Sequence, residues 1–596
     1  MSLPRLILVF APVMCFLLAA TPGKAQTFVD GDPLGVLYTE HVGGYLGHGV
    51  SFVDFNGDGF DDLTFAQFEG DILGYAGDGN GNFTPLDLGI GTTGGEPKSV
   101  LWADFDNDGD QDLLVTQRLA VNRLYARMPD GSLQEVPNAG GLSGTVLERT
   151  YGAAVADFNK DDRLDVYLCH YHTPQTNTEQ NRLFRSVGGL DLGMSFEDVS
   201  GPAGVGNGVK QSFQATWVDL DRDGWLDLHV INDRTFWPDA LYRNLGNGTF
   251  VDMSNSWGID IGEYSMSSTF ADFDKDQDWD IVVTNGATEG NSFLQCTGHP
   301  FQNPSQEPAI LLYENVAADA GILLSDLAWG ALFFDADNNG WLDLFIGTGT
   351  SLYTDYPAVL DFYPNSLNGF FLNEGGTFPL EAALDNVLTD NELTFSSACS
   401  DHNRDGAMDF VSHRMGPRAR LLNGVPNENH WIQVMLVPSE GNLDAIGAVV
   451  TAWKGGVGDM RTMTCGSEYL SQSSRRLHFG LGDSPNVDSV TVDWPSGNHT
   501  ALIAPQTDAI VQMLENNGEG GAITSGCTYA LACNYSPEAS EDDGLCDFSC
   551  ACGNGTVWDE SLGLCVASCT ADHDGNGVVG TGDLIEFLTY FGAACE

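Results

Sequence analysis

The run Asp219-Leu220-Asp221-Arg222-Asp223-Gly224-Trp225-Leu226-Asp227 sets aspartates at the first, third, fifth and ninth of nine positions. When such a loop curls, the oxygens at alternate positions converge on one point. The sixth residue must then take a positive φ, which Gly224 does without a steric penalty. The seventh offers a backbone carbonyl, and Asp227 closes the shell. An all-oxygen, highly charged, flexible donor set suits Ca²⁺ better than Mg²⁺, which demands tighter octahedral geometry. The residues that follow, Trp-Leu-Asp-Leu-His-Val, read as a short strand rather than a helix, so the loop joins two strands.

The same pattern occurs seven times, starting at Asp54, Asp104, Asp157, Asp219, Asp272, Asp335 and Asp401, at intervals of 50 to 66 residues. That period is one blade of a β-propeller, and the chain is expected to be all-β with a seven-bladed propeller. The expected ligands of the first three cages are Asp54, Asn56, Asp58 and Asp62; Asp104, Asp106, Asp108 and Asp112; and Asp157, Asn159, Asp161 and Asp165. The fourth uses Asp219, Asp221, Asp223 and Asp227, and the fifth Asp272, Asp274, Asp276 and Asp280. The sixth uses Asp335, Asp337, Asn339 and Asp343, and the seventh Asp401, Asn403, Asp405 and Asp409. About seven propeller Ca²⁺ sites follow. Asp162 and Gln277 replace the glycine in the third and fifth copies. Gln tolerates a left-handed backbone poorly, so the fifth site is expected to be the weakest.

A second phrase accompanies the cages: Leu-aromatic-x-Asn followed by Gly and Phe. It is clearest over 241–250, with weaker versions at Leu312-Tyr313-Glu314-Asn315, at 371–378, at Leu124-Tyr125 and at Leu183-Phe184. It reads as strand, glycine turn, strand. With the cages, it makes residues 26–428 resemble the FG-GAP (VCBS) repeat family, which includes the ligand-binding propellers of integrin α chains. The resemblance implies a propeller and bound calcium, and leaves the ligand open.

The formal charge is −59, from 83 acidic and 24 basic residues, which argues against nucleic acid and anionic membranes as partners. A hydrophobic content of 42% argues for packed cores rather than disorder. Arg5, an apolar run from Leu6 to Ala20, and Gly23-Lys24-Ala25 form an expected secretory signal peptide over 1–25. No later apolar run is long enough to span a membrane, and the protein is expected to be secreted, either free outside the cell or associated with the cell surface. Cys527, Cys533, Cys546, Cys550, Cys552, Cys565, Cys569 and Cys595 crowd into the end of the chain, the mark of a disulfide-stapled tail in an exported protein.

Residues 429–515 form an expected small all-β module. Its phrases Asn429-His430-Trp431, Gly466-Ser467-Glu468-Tyr469 and Val492-Asp493-Trp494-Pro495 resemble the ASPIC/UnbV module that follows FG-GAP propellers in the cartilage acidic protein family. Glu468, Ser471, Arg475 and His478 make a tempting catalytic set there, but read more simply as a polar packing face. A glycine-rich linker over 516–526 leads to a Cys-rich module over 527–568. The segment 569–596 is similar to half of a dockerin: one EF-hand-like loop with Asp572, Asp574, Asn576 and Asp583, a further Ca²⁺ site, followed by a short apolar helix face. A Cys569–Cys595 bond would close it.

No Ser-His-Asp phrase, HExxH, P-loop or nucleotide fingerprint occurs. The reading is a non-catalytic adhesion or recognition protein that binds an extracellular protein or glycan. A lectin is the alternative, and a calcium-dependent polysaccharide-degrading enzyme a more distant one.

Overall fold

The computed structural model describes residues 28–515, except 42–44, 69, 172–178, 190–191, 287–289, 298–311, 325–326, 350–366, 380–391 and 440; beyond 515 it describes four short strands. The expected signal peptide, the side chains of the tail cysteines, and Asp572, Asp574, Asn576 and Asp583 lie outside the described residues.

Seven antiparallel sheets form the propeller. Their innermost strands are Val50–Val53, Glu96–Ala103, Thr150–Ala156, Ser212–Val218, Ser265–Ala271, Ala328–Phe334 and Thr394–Ser400. Each packs against the next, and the seventh packs against the first, so the ring is closed. The sixth sheet has three strands among the described residues and the others four. The outermost strand of blade 7 is Phe28–Asp30, which pairs antiparallel with Arg420–Gly424, so the start of the described chain locks its last blade. The inner strands are buried along nearly their whole length and are rich in β-branched, aromatic and small residues, as strands packed on both faces require.

The second residue of most cages points inward and fills the space between blades. Phe55 stacks on Trp102 at 4.5 Å and Phe158 on Trp217 at 6.0 Å. The second repeated phrase lies on third strands at Arg123–Arg127, Arg182–Ser186, Ala240–Asn244 and Gly369–Phe371. The copy at 312–315 departs from this. Ser292–Cys296 is the third strand of blade 5, and Tyr313–Asn315 is its fourth.

Residues 430–514 build two further sheets. One joins Leu477–Gly482, His430–Val437 and Ala509–Leu514, and the other Val457–Thr462, Val449–Lys454, Ser489–Asp493 and His499–Ile503. Within the expected linker, Ala522–Ser525 adds a strand beside Ala509–Leu514, and Ala539–Glu541 pairs with its other side. Ile432, Val434, Val450, Phe479, Val490 and Val511 belong to the same buried cluster as Leu101, Val155 and Val230 of blades 2 to 4, so module and propeller share a core.

The module also sends a loop, residues 463–476, into the channel of the propeller. Gln472 enters beside the inner strand of blade 1: Phe52 N–H donates to its carbonyl at 2.9 Å and its own N–H donates to Val50 O at 3.1 Å. Val155 N–H donates to Cys465 O at 3.1 Å, and Ser474 N–H to Cys399 O at 3.0 Å. Tyr469 and Leu470 reach an aromatic cluster with Tyr151, Phe213, Trp329 and Phe395, contributed by four different inner strands. The Tyr469 hydroxyl donates to Leu46 O at 2.7 Å. Gly466 allows the closest approach: a Cβ there would lie 2.1 Å from Ala153 O, and its φ is +82°.

Candidate metal centres

In every blade, the expected cage is the turn between the first and second strands. The first aspartate follows the inner strand directly, and the last is the first residue of the second strand, as in Asp62–Ala66, Asp227–Asn232 and Asp409–Arg414. The sixth position has positive φ in all seven: Gly59 +89°, Gly109 +96°, Asp162 +71°, Gly224 +87°, Gln277 +72°, Gly340 +90° and Gly406 +84°. The reason is visible in the bonding. Each sixth N–H donates to the first aspartate, at 2.8 to 3.3 Å. A second left-handed residue, which the sequence pattern does not flag, stands at the fourth position: Gly57, Asn107, Lys160, Arg222, Lys275, Asn338 and Arg404.

The ninth aspartate is the best anchored. One oxygen accepts an N–H from the end of the third strand in all seven blades: Gly77, Arg127, Ser186, Asn244, Cys296, Asn373 and Gly424, at 2.7 to 3.0 Å. The other accepts the N–H of the second cage residue in six of them.

Four cages bring three carboxylates within 4.8 Å of one another: Asp104, Asp106 and Asp108; Asp219, Asp221 and Asp227; Asp272, Asp274 and Asp276; Asp335, Asp337 and Asp343. In cages 1, 3 and 7 the asparagine amide nitrogen bonds a cage carboxylate: Asn56 to Asp62 at 3.3 Å, Asn159 to Asp165 at 3.3 Å and Asn403 to Asp405 at 3.0 Å. Turning those amides over presents Oδ1 instead.

The donors fit a hard cation. Asp106 Oδ1, Asn159 Oδ1, Asp161 Oδ1, Asp272 Oδ2, Asp280 Oδ2 and Asp335 Oδ1 are buried oxygens with no hydrogen-bond partner, which a protein avoids unless something else satisfies them. Burial pushes Asp62 up to about 8, Asp104 to about 7, Asp112 to about 9, Asp272 to about 8 and Asp335 to about 8. Asp165, Asp227, Asp280, Asp343 and Asp409 are held well above the usual carboxylate range for the same reason. A divalent ion at each cage would stabilise the ionised carboxylates that burial disfavours.

The module sits on this cage face. Gly480 N–H donates to Asp335 at 3.1 Å, Gln433 Nε2 to Asp401 at 2.6 Å, and Asp104 N–H to Asp444 at 2.7 Å. Arg476 pairs with Asp61 at 2.8 Å and Lys275 with Asp459 at 3.1 Å. Asn107 and Arg222 contact Gly441 and Asp493.

The tempting set Glu468, Ser471, Arg475 and His478 does not converge. Glu468 and His478 line a cavity of about 140 Å³ between module and propeller, with Arg461, Thr216 and Cys399. Burial pushes the Glu468 carboxyl up to about 7. Ser471 donates to Tyr469 O, and Arg475 pairs with Asp444 and Trp102 O, away from that cavity. His478 Nε2 lies 2.6 Å from Asn338 Oδ1. Of the four, Arg475 and His478 bond propeller residues, and Ser471 bonds within its own loop.

Among known families, the FG-GAP-like repeat matches residues 54–115 and 180–283, and ASPIC and UnbV matches residues 438–520. Cartilage acidic protein 1 from Homo sapiens is 25% identical over 438 residues, covering 68% of this chain and 60% of that protein. The Mus musculus protein of that name is 25% identical over 318 residues, covering 52% and 46%. The chain thus spans about half the length of the curated relatives it matches. Among solved structures, BBS1N in complex with ARL6DN is similar at 11% identity and a TM-score of 0.38, covering 67% of this chain and 98% of that one. The chain carries FG-GAP-like repeats on a β-propeller, followed by an ASPIC and UnbV segment, and is similar to cartilage acidic protein 1. The seven blades themselves rest on the sheets and the closed ring of inner strands.

Proposed function

We propose that this chain is a secreted, non-catalytic recognition protein that binds calcium in its cages and presents the opposite face of its propeller to an extracellular ligand. One observation carries the choice of face: the module covers the cage end and its loop fills the channel. Antiparallel strands alternate direction, so the turns between second and third strands, and the connections between blades, lie at the other end. Exposed apolar side chains stand there: Phe236 at 67%, Leu147 at 63%, Val146 at 59% and Leu119 at 55%. Phe236 meets Trp237 edge-on at 4.9 Å, and Arg234 lies over the Tyr264 ring. Aromatic residues and arginine are the side chains on which protein interfaces depend most.

Calcium would rigidify the blades and relieve the repulsion of the clustered carboxylates. Export is supported by the N-terminal segment and by the cysteine-dense tail. Among the described residues no helix is long and apolar enough to cross a membrane.

The test is a screen of the full chain against extracellular-matrix proteins and a glycan array, in millimolar calcium and in chelator. Calcium-dependent capture of a protein, weakened at least tenfold by Phe236→Ser with Trp237→Ser, is expected. Capture of a defined sugar that needs the same pair would establish the lectin alternative, for which the exposed Phe236 against the half-buried Trp237 is the favouring observation. Binding that survives the double substitution would move the ligand off this face.

A further inference from the structure

The fifth cage differs from the other six in ways its sequence conceals. Gln277 adopts the same left-handed backbone as the glycines, with φ +72°, and its N–H still reaches Asp272 at 3.3 Å. The missing glycine therefore leaves the loop geometry intact. The seventh position is Asp278; the second cage has an aspartate there too, the half-buried Asp110, and the remaining five have no carboxylate. Asp278 is 2% exposed, and neither of its carboxylate oxygens has a hydrogen-bond partner. Its carboxyl lies beside those of Asp276 and Asp274 and near the Cys296 thiol. The ninth residue, Asp280, keeps one oxygen unbonded, whereas its counterparts in the other six cages accept the N–H of the second cage residue there. Adding Asp272 Oδ2, the fifth cage holds four buried, unpartnered carboxylate oxygens among the described residues, and no other cage holds more than two such oxygens.

The neighbouring fourth cage, whose sequence follows the pattern throughout, is the opposite case. Arg243, on the third strand of its blade, donates Nε to Asp221 and Nη2 to Asp223 at 2.7 Å. Two of its four ligands are thus held by a side chain that already carries the positive charge. The corresponding residue in blade 5 is Gln295, which is neutral and donates to Asp274 at 2.8 Å.

We propose that the fifth cage is the tightest divalent-cation site of the propeller, with Asp278 as an additional carboxylate donor, and that the fourth is weakened by Arg243. Resting on the calcium reading above, this sets an order of occupancy: as free calcium falls, the ion between blades 4 and 6 leaves last. The physical basis is that ligand charge and count tune calcium affinity over several orders of magnitude. An arginine that must give up two carboxylates opposes entry.

The experiment is a calorimetric titration of the metal-stripped full chain with calcium, with bound ions counted by native mass spectrometry at buffered free calcium. Asp278→Asn should weaken the tightest class of sites about tenfold or more. Asp110→Asn, at the same position of the second cage, should leave that class unchanged. Arg243→Gln should strengthen one weak site. A tightest class that shifts less than twofold in Asp278→Asn, with circular dichroism unchanged, overturns the assignment. If that variant misfolds, Asp278→Ser is read the same way, and Arg243→Gln tests the fourth cage independently. A wild-type chain that takes up no calcium would remove the calcium reading itself, an outcome distinct from uptake in a different order.

Discussion

The side-chain amide of Gln472 pairs with the backbone of Trp102 in both directions: Oε1 accepts the Trp102 N–H at 2.9 Å, and Nε2 donates to the Trp102 carbonyl at 2.9 Å. Oε1 also accepts from Ser51 Oγ at 2.9 Å. A glutamine from the module thus takes the place of a strand neighbour inside the channel, where all three residues are buried.

Gln472→Ala should therefore cost about 2–4 kcal/mol, because it strands the buried Trp102 N–H and Ser51 hydroxyl, while the Trp102 carbonyl keeps its bond from Arg475. Urea unfolding in saturating calcium measures it. A loss below about 0.5 kcal/mol would mean the channel admits water freely.

Gly466→Ala should loosen the inserted loop. The added Cβ would meet Ala153 O at 2.1 Å, and the residue sits at φ +82°. Gly455, also left-handed at φ +61° but with nothing within 4 Å of its Cβ position, isolates the backbone term. Gly455→Ala should cost about 1 kcal/mol and Gly466→Ala clearly more. Equal melting-point shifts would show that the loop can move aside.

Calcium removal should loosen the module along with the blades, since Gly480 and Gln433 donate directly to the cage carboxylates of Asp335 and Asp401. Each ion bound only by the folded state adds about 2.7 kcal/mol at a hundredfold excess over its Kd. Chelation should lower the melting point by many degrees and open residues 463–476 to limited proteolysis. Protection that persists in chelator would show that the shared core alone holds the module.

Acid should weaken the seam between blades 7 and 1. His41 packs against His48 and His413, with ring centroids 4.8 and 4.3 Å away, beside the buried pair Lys98–Glu96, which Arg118 also joins. Burial lowers His413 to about 4 and holds His41 and His48 well below the usual histidine value. With the folded-state pKa depressed, the unfolded chain binds more protons below about pH 6.5, so stability falls as pH falls through that window. His413→Phe should remove part of this slope, about 2 kcal/mol between pH 6.5 and 5. Parallel stability–pH curves for the two proteins would refute the assignment.

The cages were legible because each is local. Nine residues supply the ligands, the left-handed sixth position and the turn, and even Asp162 and Gln277 obey it because the sixth N–H must reach the first aspartate. The fourth-position bend was not legible: Lys160, Arg222, Lys275 and Arg404 are not residues that announce positive φ. The copy of the second phrase at 312–315 misled because a short apolar-aromatic run fits a third or a fourth strand equally well, and only pairing with Ser292–Cys296 distinguishes them.

By itself, then, the sequence determined the repeat and the donor chemistry, each encoded within a single hairpin, and the blade number, which is the count of those hairpins. The tertiary structure alone decided that the module covers the cage face and threads the channel. It also decided that Arg243 crowds the fourth cage while the fifth keeps unpartnered carboxylates. Gln472 and Trp102 are 370 residues apart in the chain. A pairing at that separation is set by how the ring closes and which surfaces can share a core, and no local pattern records it.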